Sequence, residues 1–133
     1  MTKHWRLPAN AESVAAARRL VRDVALHNRA EPRLLDAIVL CVSEAVTNAV
    51  VHAYRDGSAG DLELETSRPN GYLCVYVRDG GVGMRPRHDS PGAGYGLPLI
   101  TRLASEVTIR SRRDQAGTEV MMRFDLPEPV GER

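Results

Sequence analysis

Between Leu35 and Ala49 the apolar residues recur with the period of an α-helix. Leu35, Ile38, Val42, Ala45 and Ala49 fall on one stripe, which predicts a long amphipathic helix packed on a core. Glu31-Pro32 opens it, since a proline in the first turn gives up an N–H that has no helical partner there. The pattern runs to about Tyr54 and stops at Arg55-Asp56-Gly57-Ser58, with Gly57 and Gly60 as breakers. An earlier stripe of Val14, Ala17, Val21, Val24 and Ala25 predicts a first helix over about 11–28, with Asn10 as its N-cap. Arg18, Arg19 and Arg22 lie mostly off that stripe, as a solvated basic face or, on a sharper reading, a partner-docking face.

Elsewhere the period changes to two. Residues 4–8 read as a short strand ending at Pro8. Asp61–Arg68 alternates, with Leu62, Leu64 and Thr66 on one side and Glu63 and Glu65 on the other. Pro69-Asn70-Gly71 is a hairpin turn, and Tyr72–Arg78 returns as the paired strand. After two glycine-rich segments, Leu97–Ser105 reads as a short helix. Val107–Arg112 and Thr118–Leu126 form a second hairpin about a turn at Asp114–Gly117, and residues 127–133 read as a loose tail. Strands joined by tight turns give a mixed, mostly antiparallel sheet. The expected fold is α+β: a two-layer α/β sandwich, one domain over residues 1–133, with helices on one face.

Composition narrows the chemistry. A 133-residue chain with 43% hydrophobic and 26% charged residues is that of one globular domain, and a net charge of +1 gives no field for nucleic acid or an acidic membrane. Lys3 is the only lysine, so no P-loop lysine is at hand. Cys41 and Cys74 match no metal-ligand spacing and read as buried thiols without a disulfide. No apolar segment approaches a membrane span and no signal-peptide core is seen, so the expected location is the cytoplasm.

Three pieces could carry chemistry. On the long helix, Glu44, Asn48 and His52 sit at i, i+4 and i+8 and stack along one polar edge, which is either a solvated flank or the floor of a site. In Asp79-Gly80-Gly81-Val82-Gly83 a carboxylate ends a strand beside glycines; this is a plain turn, or an acceptor for an exocyclic amine such as that of adenine. Gly92-Ala93-Gly94-Tyr95-Gly96-Leu97 precedes a helix, where bare N–H groups and the helix dipole suit phosphates, although the spacing is not the dinucleotide fingerprint.

Together these pieces resemble the boxes of the GHKL (Bergerat-fold) ATPases. SEAVTNAVVHAY resembles the N-box, DGGVGM the G1 box and GAGYGL the G2 box, and Gly117-Thr118 resembles the Gly-Thr before the last strand. Order and spacing agree over nearly the whole chain. The wording is most similar to anti-sigma-factor serine kinases of the RsbW type. The resemblance implies ATP and Mg²⁺ as cofactors. Asn48 would help hold the metal, Asp79 would receive the adenine amine with Thr118 nearby, and Gly81 and Gly83 would let the backbone pass base and ribose. Gly94, Gly96 and Leu97 would offer N–H groups to the phosphates, and Glu44 would be the general base. The short stretch 85–91 implies only a small lid. His52 stays structural.

The function implied is a protein serine/threonine kinase. It phosphorylates a STAS-domain anti-sigma-factor antagonist, binds an RNA polymerase sigma factor, and allows a homodimer; no contact with nucleic acid or membrane is expected. Two alternatives remain at this stage: a non-catalytic nucleotide-binding module that regulates a partner by docking, and, with less support, a redox or metal protein. The chain has no histidine-bearing dimerisation helix pair, so it does not read as a sensor histidine kinase.

Overall fold

The structure, a computed structural model, describes residues 1–54, 59–81 and 97–126. Strand β1 (Thr2–Pro8) is followed by α1 (Glu12–His27) and α2 (Pro32–Asn48). A π-turn (Ala49–Ala53) continues α2, and the hairpin β2 (Asp61–Ser67) and β3 (Tyr72–Asp79) comes next. Helix α3 (Leu97–Leu103) then leads to the hairpin β4 (Glu106–Ser111) and β5 (Thr118–Asp125). The sheet order is β1-β2-β3-β5-β4, and every neighbouring pair is antiparallel. The mixed sheet allowed by the sequence is therefore antiparallel throughout among the described residues.

Both expected helix stripes are buried. Ala17, Val21, Val24 and Ala25 of α1 join Leu35, Ile38, Val42 and Ala45 of α2 and Ala49 of the π-turn in one core. Asn10 caps α1 in practice, its Oδ1 accepting the Ser13 N–H at 3.2 Å, while the Ser13 hydroxyl donates to the Pro8 carbonyl. The strands complete the core from one side of the sheet: Leu62 and Leu64, Leu73, Val75 and Val77, and Val120, Met122 and Phe124. Period-two alternation is thus met on all three central strands. Gly71 takes φ +77 at the β2–β3 turn, a conformation that favours glycine. Cys41 and Cys74 are free and buried. Burial, helped by the negative Glu44 one turn on, pushes the Cys41 thiol up to about 11, well out of the reactive range.

One expectation needs correction. Pro32–Ala53 is long and apolar enough to cross a membrane by length and composition, with a mean hydropathy of 1.8. The physical reason is that this is the core helix, packed against α1, α3 and β3. Half of that apolar window is buried inside the fold.

The sheet face away from the helices carries a ladder of charge. Arg78 pairs with Glu65 at 2.8 Å and Glu119 at 2.6 Å, and Arg110 reaches Glu119 at 2.9 Å. Arg78 also stacks over Tyr76, and Arg123 over Tyr72. Burial by itself would raise the Glu119 carboxyl, but hydrogen bonds from Arg78 and Arg110 outweigh it and hold the group below its ordinary 4.5. A carboxyl depressed in this way stabilises the fold above its unfolded value, and the contribution fades as pH falls through its folded value. Glu119→Gln should therefore cost about 1–3 kcal/mol at neutral pH. In urea unfolding curves, the gap to the parent protein should close as pH drops below the ordinary glutamate range.

Candidate functional site

The site forms where three chain segments meet at the end of β3. Asp79, the last residue of that strand, lies on the helix-facing side and is 2% exposed. Its Oδ1 accepts the Gly81 N–H at 3.0 Å and the Thr118 N–H at 3.4 Å. Among the described residues both of these bonds fall on Oδ1. Burial raises the carboxyl above its ordinary 3.8, while the two N–H groups and the nearby Arg112 pull the other way.

Two glycines make this convergence sterically possible. A Cβ on Gly81 would lie 1.9 Å from the carbonyl oxygen of Ala53, at the end of the π-turn. A Cβ on Gly117 would lie 1.9 Å from the carbonyl oxygen of Asp79, and Gly117 has φ +128. Only glycine lets the β4–β5 turn and the end of the long helix close on Asp79 together.

The long helix differs from the sequence expectation in its last turn. The sequence predicts an uninterrupted α-helix to about Tyr54, with Glu44, Asn48 and His52 stacked along one polar edge. The π-turn from Ala49 to Ala53 lowers the rotation per residue, so the face drifts after Asn48. Asn48 is buried at 5% exposure, Glu44 and His52 are half-buried, and Val51 turns outward at 55%. The edge is therefore a buried amide between two partly accessible side chains.

Asp79, Gly81 and Thr118 are thus brought into direct contact. Asn48 and Glu44 lie on the helix whose continuation, at Ala53, Gly81 touches. Leu97 begins α3, which packs against α2. Gly83, Gly94 and Gly96 lie outside the described residues. Two residues to which the sequence assigned no role in a site also reach this place. The Tyr54 hydroxyl accepts the Gly80 N–H at 2.9 Å and donates to the Asp61 carbonyl at 2.8 Å. Arg112, its side chain 5% exposed, donates to the Asp79 carbonyl at 3.3 Å and to Glu63 at 3.1 Å. Tyr54 closes the SEAVTNAVVHAY stretch and Arg112 lies in no motif, and only the chain's return from residues far along the sequence makes them neighbours.

The donor set fits an adenine nucleotide in its base-reading part: a buried acceptor oxygen, a glycine turn and an adjacent Thr118. No cluster of three His, Cys, Asp or Glu side chains able to hold a metal is present among the described residues. A hard cation shared between one amide and a ligand's phosphates would not require one.

An antiparallel α+β sandwich with a strand-end aspartate and glycine turns against a long helix defines a class of nucleotide-binding domain. The model of the histidine kinase-like ATPase domain matches residues 7–124, and the chain belongs to that family. It is 27% identical over 138 residues to the serine-protein kinase RsbW of Oceanobacillus iheyensis, covering 92% of this chain and 85% of that protein. Similarity to the anti-sigma F factor of Geobacillus kaustophilus is 27% over 133 residues, covering 90% and 89%. A blue-light-activated histidine kinase of Erythrobacter litoralis is 33% identical over 92 residues, covering 68% of this chain and 27% of that protein. The solved structure of the RsbU and RsbW domains of Rv1364c from Mycobacterium tuberculosis superposes with a TM-score of 0.75 at 25% identity. The match covers 97% of this chain and a third of that longer one, 33%.

The raised Asp79 carboxyl has a consequence for stability. A group whose folded value lies above its unfolded one stabilises the fold when protonated, and that contribution is lost as pH rises through the folded value. At neutral pH the ionised Asp79 is therefore a cost to the ligand-free fold. Asp79→Asn should unfold at the same temperature or higher at neutral pH, and the advantage should shrink as pH falls into the acidic range, measured by calorimetry without nucleotide.

Proposed function

We propose that this chain is an ATP-dependent protein serine/threonine kinase of the anti-sigma-factor type. Its substrate is a STAS-domain anti-sigma-factor antagonist, phosphorylated on a hydroxyl side chain, and its second partner is an RNA polymerase sigma factor. The observation that carries the reading is the buried Asp79 carboxylate, its Oδ1 held by two backbone N–H groups, at the end of the helix that bears Asn48 and Glu44. Support for the partners comes from the serine-protein kinase RsbW and anti-sigma F factor relatives, which match over most of their length. Both partners act in the cytoplasm, and this reading places the chain there.

When bound, Mg·ATP supplies the γ-phosphoryl group, with the metal neutralising its charge. Asp79 accepts the exocyclic amine of the base and so selects adenine over guanine, which presents a carbonyl at that position. Thr118 lines the same corner, and Gly81 keeps the backbone clear of side chain there. Asn48, buried at 5% exposure, would help hold the metal through its amide oxygen. By the resemblance of their motifs, Gly83 would help the backbone pass base and ribose, and Gly94, Gly96 and Leu97 would offer N–H groups to the phosphates. Glu44, half-exposed one turn earlier, takes the proton of the substrate hydroxyl as its oxygen bonds to phosphorus and the bond to the departing diphosphate breaks. The transfer marks the antagonist with negative charge, which is the switch between partners.

Titration with Mg·ATP and Mg·GTP tests the first step; ATP should bind and GTP should bind much more weakly. Glu44→Ala should keep ATP affinity and lose about 10²–10⁴-fold in phosphotransfer to the antagonist, the range for removing a general base. Unchanged transfer would remove Glu44 from that role. Transfer at background level by the parent protein, with ATP still bound, would leave a nucleotide-dependent docking module.

A further inference from the structure

The hydrogen bonds around Asp79 converge on a single peptide unit. The carbonyl of Asp79 and the N–H of Gly80 belong to the same peptide plane. Arg112 holds the carbonyl end at 3.3 Å, and the Tyr54 hydroxyl holds the N–H end at 2.9 Å. These side chains come from opposite directions: Tyr54 follows the π-turn of the long helix, and Arg112 follows β4. Each is itself anchored on β2. Tyr54 donates to the Asp61 carbonyl at 2.8 Å, and Arg112 donates to the Glu63 carboxylate at 3.1 Å.

We infer that Tyr54 and Arg112 are positioning residues for nucleotide-base selection: they clamp the Asp79–Gly80 peptide and so aim the Asp79 carboxylate at the base. The inference rests on Asp79 reading the base, as proposed above, and adds what holds Asp79 in place.

Several further observations agree. Gly60 has no side chain because a Cβ there would lie 2.2 Å from the Tyr54 ring, so the ring is seated against the backbone at the start of β2. Gly117 closes the other side, its hypothetical Cβ 1.9 Å from the same Asp79 carbonyl oxygen that Arg112 binds. The Gly117 carbonyl in turn accepts the main-chain N–H of Arg112 at 3.0 Å, which ties the backbone of Arg112 to the turn that brings Thr118 to Asp79. Glu63 is held below its ordinary 4.5, since hydrogen bonds from His4 and Arg112 outweigh the effect of its burial, so it stays ionised as the anchor of Arg112 at neutral pH.

The geometry also separates aiming from stability. Gly80 is exposed, so water can take over its N–H when the hydroxyl is removed. What is lost is a fixed peptide plane. A carboxylate free to rotate loses discrimination between an amine and a carbonyl at the base edge, while contacts to the triphosphate are untouched.

The test is equilibrium binding of ATP, of inosine triphosphate (a carbonyl in place of the exocyclic amine) and of inorganic triphosphate, all with magnesium. Tyr54→Phe keeps the ring and removes only the hydroxyl. It should weaken ATP about three- to tenfold, the value of one hydrogen bond's worth of orientation. Inosine triphosphate and inorganic triphosphate should be unaffected, so that the ATP preference falls. Arg112→Lys, which keeps the charge but not the fork that spans the carbonyl and Glu63, should do the same. Parallel weakening of all three ligands would mean a merely structural role and would overturn the clamp. So would full ATP preference in a folded Tyr54→Phe protein. Asp79→Asn separates this from failure of the underlying reading. If that variant keeps the ATP preference, Asp79 does not read the base and the clamp falls with it. If it loses the preference while Tyr54→Phe and Arg112→Lys keep theirs, only the clamp is wrong.

Discussion

Burying the Asp79 carboxylate at the end of a central strand is the constraint on which the rest of the site depends. A charge taken from water must be met by donors, and here two backbone N–H groups meet it on one oxygen. One N–H comes from the turn immediately after the strand. The other comes from Thr118, 39 residues further on. To deliver it, the β4–β5 turn must press Gly117 against the Asp79 carbonyl, and the turn after β3 must press Gly81 against the end of the long helix. The glycines in both motifs therefore answer to protein packing as directly as to any ligand. Burial still raises the carboxyl above its ordinary value, against the pull of the two N–H groups and Arg112.

The long helix serves the core and the site with different faces. Its stripe from Leu35 to Ala49 is buried against α1 and the sheet, which makes it a rigid support for Asn48 and Glu44. Its last turn then widens into a π-turn and releases Tyr54 toward the start of β2. A regular α-helical turn would carry the chain on at a different angle, and Ala53 would not meet Gly81 as it does. Local irregularity of this kind is where helices commonly meet function. On the far side of the sheet, the ladder of Glu65, Arg78, Glu119 and Arg110 has Arg112 at its end. Arg112 joins Glu63 on that face to the Asp79 carbonyl.

Much of this was legible in the residues alone. The two apolar helix stripes, the alternation of β2 and the Asn70-Gly71 turn predicted elements whose observed bounds differ by a few residues at most. Those signals are local: a period of 3.6 or 2, or a turn that demands a positive φ, is written in neighbouring residues. Asp79, Gly81 and Thr118 were legible as motif residues and are now in contact. The widening of the helix after Asn48 was not legible, because nothing in AVVHA announces it. The span Pro32–Ala53 shows the same limit from the other side, since apolar length cannot distinguish a core helix from one bound for a bilayer.

Sequence by itself determined the main elements, the alternating faces of the sheet and the absence of a P-loop lysine. Tertiary structure decided that β5 returns between β3 and β4, that Asn48 is buried while Glu44 stays accessible, and that Tyr54 and Arg112 grip one peptide beside Asp79. The reason is sequence separation. Gly80 lies 26 residues from Tyr54, and Asp79 lies 33 from Arg112. Contacts of that range leave no periodic trace, and they exist only once hydrophobic burial has brought the strands into register.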